Sequence, residues 1–109
     1  MLGGRPDPKL ESWFRCAAGA TLRPVPRYGS KSVPTYPEAE RLERVQGRAV
    51  VQIVIEPDGT VTCGRVLSAT RTAFAVAALE TVRQWRYVPL SAGDPTRETG
   101  IVIINYRLE

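Results

Sequence analysis

The sequence predicts an α+β fold, a two-layer sandwich in which two helices cover one face of a three-stranded antiparallel sheet, in the order α-β-β-α-β. Three observations predict it. Apolar residues alternate with period two from Arg48 and stop at Pro57-Asp58-Gly59; a helical apolar stripe runs between Thr72 and Trp85; and a second alternating run closes the chain. A hairpin and two amphipathic helices need a single sheet face to cover, which limits the chain to one compact domain with a tail.

The elements follow in order. Residues 7–18 read as a short helix, with Asp7 as N-cap, Pro8 in the first turn, Leu10, Trp13, Phe14 and Ala17 at helical spacing, and Gly19 as its stop. Its stripe can dock on the main domain or lie on a membrane surface, and docking is the plainer use of a Trp-Phe pair. Pro24, Pro26 and Pro34 favour extended backbone and mark residues 23–34 as a linker. The chain therefore divides into a basic, proline-containing leader, residues 1–32, with a helix over 8–18, and a domain over 33–109.

Pro37 can open the next helix, running to about Gln46, with Ala39, Leu42 and Val45 on one face, Glu40 paired with Arg44 on the other, and Gly47 as a left-handed cap. The strand that follows places Ala49, Val51, Ile53 and Ile55 on one face and Arg48, Gln52 and Glu56 on the other. Pro57-Asp58-Gly59 is a tight turn, the lone aspartate serving turn geometry. Residues 61–68 return antiparallel, and Gly64 marks a bulge or a close backbone approach. In the helix from Thr72, Phe74, Ala78, Val82 and Trp85 form the stripe, which Ala75 and Leu79 widen. Trp85 and Tyr87 therefore read as core, with Arg86 outward. In the closing strand Val102, Ile104, Tyr106 and Leu108 share one face, while Ile101 and Ile103 point to the other, toward a partner or toward cover by the leader. A three-stranded sheet has two open edges, which invite a partner strand or a homodimer, so function is sought there.

Composition excludes several classes. Residues 1–35 hold 6 Lys/Arg against 2 Asp/Glu and residues 36–109 hold 9 against 9, so the excess charge lies in the leader without the basic run or aromatic ladder that nucleic acid would need. No histidine is present, no acidic pair falls on a cleft and no phosphate-binding glycine loop occurs, so no enzyme, no metal and no cofactor is expected. Cys16 and Cys63 lack the close spacing of zinc or redox motifs. They either join in one disulfide, worth ~4 kcal/mol by loop closure, or stand as two small buried thiols, and the spacing leaves both open. No window holds the roughly 18 to 20 apolar residues of a membrane-spanning helix and no signal peptide opens the chain, which reads as soluble with its export encoded elsewhere.

Tyr36-Pro37, Gln46-Gly47-Arg48, the strand from Ala49 to Ile55, Pro57-Asp58-Gly59, Val66-Leu67-Ser68-Ala69, Trp85-Arg86-Tyr87 with Pro89, and the aromatic-bearing last strand occur in an order and spacing that resemble the TonB C-terminal domain family over residues 33–109. The resemblance implies a periplasmic receptor-binding domain of a Gram-negative energy transducer. Its partner would be the TonB box, a short extended segment of an outer-membrane receptor that adds beside the last strand. It also implies tethering to the inner membrane and a motor complex there, reached here only through an anchor outside this chain. By position the paired strand comprises Gly100, Ile101, Val102 and Ile103, continuing through Ile104, Asn105, Tyr106 and Arg107. A second contact stretch comprises Val33, Pro34, Thr35, Tyr36 and Pro37, in which Tyr36-Pro37 serves helix entry or peptide contact. Val33 stands where a well-known member has glutamine, so a polar contact there is not implied. The alternative from another class is a structural or sensory peptide-binding module of the same fold without force transduction.

Overall fold

A computed structural model describes residues 8–22 and 28–108. The body is the expected antiparallel sheet with helices, built on β3 (Gly47–Ile55), which pairs with β4 (Val61–Ala69) on one side and β6 (Glu98–Tyr106) on the other. The hairpin linking β3 and β4 closes as the sequence requires: Gly59 takes φ +91°, and Asp58 Oδ1 accepts from the Thr60 amide at 3.0 Å and its hydroxyl at 2.6 Å. Register shifts leave Thr62 and Leu67 as extra residues in β4, whereas Gly64 marks a close approach, since a Cβ there would stand 3.2 Å from the Leu79 side chain.

Ala49, Val51, Ile53 and Ile55 turn one face toward α3 (Thr72–Arg83), whose Phe74, Ala78 and Val82 are fully buried against them. The spacing of four puts all three on one side of the helix, and Trp85 and Tyr87 extend the core beyond its end. Phe74 stacks on Tyr106 at 4.6 Å, and Tyr36 meets both rings edge-on at 5.8 and 5.5 Å.

Several expectations are corrected. The helix from Pro37 is only α2 (Glu38–Leu42); Arg44 at φ 59° breaks it, Leu42 is 68% exposed, and only Val45 of the expected stripe packs on the core. One and a half turns cannot carry a stripe of that length. Glu40 pairs with Arg71 at 3.6 Å rather than with Arg44, tying α2 to the start of α3. Gly47 is no cap: it begins β3, and a Cβ there would overlap Thr70 Oγ1 and stand 2.7 Å from the Phe74 ring. The proposed N-cap Asp7 lies outside the described residues.

Within the stretch read as linker, β2 (Tyr28–Ser30) pairs antiparallel with β5 (Arg86–Tyr87), and Trp85 Nε1 donates to the Ser32 carbonyl at 3.0 Å. A pairing across more than fifty positions leaves no local signal in a proline-rich segment. The first helix, α1 (Pro8–Cys16), docks on the sheet face opposite α3: Trp13 is 6% exposed beneath the Arg65 guanidinium at 4.8 Å, and Cys16 forms a disulfide with Cys63. Cys63 faces Val54 across the ladder, which accounts for Val54 being fully buried although it points away from α3. A fourth strand, β1 (Thr21–Leu22), joins the sheet in parallel with β6, giving the order β1-β6-β3-β4.

Gly59 and Gly93 separate backbone strain from space. Both have positive φ, but a Cβ at Gly59 would overlap the Tyr87 carbonyl, while nothing lies within 4 Å of Gly93. Gly93→Ala is expected to lower stability by about 1 kcal/mol and Gly59→Ala by at least about 2 kcal/mol, read from urea unfolding midpoints; equal effects would show that the turn yields freely.

Candidate functional site

The position of β6 in the sheet makes it the candidate site. One side of its backbone is zipped to β3 over its full length, from Glu98 opposite Ile55 to Tyr106 opposite Gly47. On the other side β1 reaches only Glu98 and Thr99, with the Thr21 amide donating to the Arg97 carbonyl at 2.9 Å. Because strand residues alternate their hydrogen-bonding groups between the two sides, those of Ile101, Ile103 and Asn105 face outward, and no described strand pairs with them. The same alternation puts their side chains on the face opposite α3, where Ile101 and Ile103 remain 55% and 57% exposed.

The two predicted stretches meet at one end of this edge. Gly100, Ile104 and Tyr106 are buried and serve the core side, Val102 is half-buried, and Asn105 and Arg107 are exposed, with Arg107 just past the strand. Tyr36 contacts Tyr106, and its hydroxyl donates to the Val45 carbonyl, so the ring is held from both ends; Pro37 is half-buried beside it, and Val33, Pro34 and Thr35 lie exposed. The Tyr106 hydroxyl is buried without a partner among the described residues, and burial pushes its pKa up.

At the other end Arg97 is the organising residue. Its guanidinium holds the Glu56 carboxylate at 2.8 to 3.2 Å and also donates to the carbonyls of Cys16, at 2.6 Å, and Ala18, joining the hairpin end of β3 to the turn after α1. This bond, helped by the Thr62 hydroxyl, holds the Glu56 carboxyl below its ordinary value despite partial burial and the nearby Asp58. Sequence reasoning did not find Arg97: a single arginine after a loop carries no signal until folding brings Glu56 and the α1 carbonyls to it.

Fold and edge together define a class, a small α+β domain whose last strand, among the described residues, has a strand neighbour on its outer side only at Glu98 and Thr99. The chain matches the family described as Gram-negative bacterial TonB protein C-terminal over residues 32–108, and it belongs to that family. It is 35% identical over 77 residues to Protein TonB of Yersinia enterocolitica, covering 70% of this chain and 30% of that protein. It is 33% identical over 79 residues to Protein TonB of Escherichia coli K12, covering 72% and 31%. The chain thus spans about a third of the length of the curated relatives it matches. The fold is also that of the Pseudomonas aeruginosa TonB C-terminal domain, at TM-score 0.68 and 20% identity over 76% of this chain and 86% of that one. The Helicobacter pylori domain aligns at TM-score 0.57 and 23% identity, over 70% of each chain. Helix α1 and strands β1 and β2 precede the family match.

Since Glu56 has a lowered pKa when folded, its stabilising effect is complete above the ordinary value of 4.5 and is lost as pH falls through the lowered one. Glu56→Gln is therefore expected to lower the urea midpoint at pH 7, with the gap to the unsubstituted chain narrowing as pH falls below 4.5. A gap that persists unchanged in acid would assign the loss to packing rather than to charge.

Proposed function

We propose that this chain is the receptor-binding domain of a TonB-type energy transducer in the periplasm, and that β6 takes up a short extended segment of an outer-membrane transporter as an added strand. The single observation that carries the reading is the row of outward backbone groups at Ile101, Ile103 and Asn105, which have no strand neighbour among the described residues, beside the aromatic cluster of Tyr36 and Tyr106. Strand addition of this kind draws affinity from main-chain hydrogen bonds and selectivity from the alternate side chains. The incoming side chains would lie beside Ile101 and Ile103 on one face and beside Val102 and Ile104 on the other. Arg48, Asn105 and Arg107 line a shallow depression at the Tyr106 end, where polar or acidic flanks of the segment would find partners. Coupling to an inner-membrane motor would require a membrane anchor, and among the described residues no helix is long and apolar enough to cross a membrane. The names of the relatives and the family match support this reading.

Titration with the N-terminal peptide of an outer-membrane receptor, followed by amide NMR, is expected to shift Ile101, Ile103, Asn105 and the amides around Tyr36. Ile103→Pro removes an outward N–H without touching the ladder to β3 and is expected to weaken the peptide by about tenfold or more. Shifts centred on α3 or β4, or an Ile103→Pro chain that binds normally, would refute strand addition at β6.

A further inference from the structure

We propose that the leader is a register stop for strand addition: Thr21 and Leu22 occupy the first rung of the β6 edge, so that an incoming segment can pair only from Ile101 onward. The inference rests on the strand-addition reading above and adds to it what sets the length and register of the partner. A backbone amide has one hydrogen to give. The parallel register that sets Thr21 opposite Glu98 directs the Thr21 amide to the Arg97 carbonyl and the Thr99 amide to the Thr21 carbonyl, so two of the outward groups of this edge are already taken.

A two-residue strand alone would fray, but this one is fastened just before it begins. The Cys16–Cys63 disulfide fixes the end of α1 to β4, and Arg97 grips the carbonyls of Cys16 and Ala18 while bound to Glu56. Gly19 at φ +79° then turns the chain onto the edge. Trp13 is buried under Arg65, which donates to Gln52 Oε1 at 2.9 and 3.0 Å; Gln52 reaches the Thr99 hydroxyl at 3.3 Å, and that hydroxyl donates to the Ile53 carbonyl at 2.8 Å. The contacts that seat α1 therefore end on Thr99, the last residue of β6 that β1 pairs with. With only a short span between Cys16 and Thr21, the tether keeps β1 beside its rung at an effective concentration on the order of millimolar or more, which a weakly binding segment in solution must exceed to displace it. All of these leader residues lie before the family match, which begins at residue 32.

The test uses two blocked peptides of alternating threonine and valine, one spanning residues 100–106 in length and one longer by about four residues, titrated into the full chain with amide NMR as the readout. With the disulfide intact, both peptides are expected to shift Ile101, Ile103 and Asn105, to leave Thr99 unshifted, and to bind with similar affinity. Thr21→Pro removes the amide that bonds to Arg97 and leaves α1 and the disulfide in place. In that variant the longer peptide is expected to gain about tenfold in affinity from two further backbone bonds and to shift Thr99, with the shorter peptide unchanged. The Cys16→Ser, Cys63→Ser pair provides a second route, freeing β1 without introducing proline, and is expected to give the same length dependence. Shifts that cross Thr99 in the unsubstituted chain, or affinities independent of peptide length in both variants, would overturn the register stop while leaving strand addition standing. Absence of any β6 shift with either peptide would overturn both.

Discussion

The antiparallel pairing of β6 with β3 is the constraint on which the rest depends. Its register, from Glu98 opposite Ile55 to Tyr106 opposite Gly47, decides at once which residues of β6 enter the core and which backbone groups are left outside. Ile104 and Tyr106 are buried beneath α3 and against Tyr36, while Ile101 and Ile103 remain on the far face. A slip of one residue would exchange the two sets, exposing the tyrosine that stacks on Phe74 and burying Asn105. The aromatic cluster and the fully buried row on β3 oppose that slip strongly, so the outer edge is presented in one register only.

The leader is tied to this frame by contacts of unequal strength. By chain entropy a disulfide closing a loop of this size stabilises by about 4 kcal/mol, whereas a partly exposed ion pair such as Arg97 with Glu56 contributes on the order of 1 kcal/mol or less. The disulfide therefore holds α1 against the sheet. Trp13 and Arg97 orient it, because a single covalent link leaves rotation about the bond free and the guanidinium bonds fix where the chain leaves the turn. This division of labour leaves β1, with only two residues, positioned by what precedes it rather than by its own pairing.

The apolar surface follows from the same arrangement. The face under α3 is closed, whereas among the described residues the opposite face is covered where α1 crosses it, near Val54 and Cys63. Exposed Ile101 and Ile103 would be a hazard on a long flat edge. Here the edge is shortened at one end by β1 and bordered at the other by the Tyr36 segment, so that among the described residues the outward groups from Ile101 to Asn105 lack a strand neighbour.

The sequence by itself determined the elements whose information is local. Period-two alternation drew β3 and β6, the Pro57-Asp58-Gly59 turn drew the hairpin, and the stripe of Phe74, Ala78 and Val82 drew α3; with the motif order, these sufficed for the fold. Tertiary structure alone decided that Cys16 meets Cys63, that Arg97 joins Glu56 to the carbonyls after α1, that β2 finds β5, and that β1 takes the first rung of β6. It also decided that Gly47 makes room for Phe74 and Thr70 instead of capping a helix. The physical reason is common to all of these. Each is a contact between residues distant in the chain, made by one or two side chains or a pair of backbone groups, and so short a stretch carries no periodicity or turn chemistry from which its partner could be read.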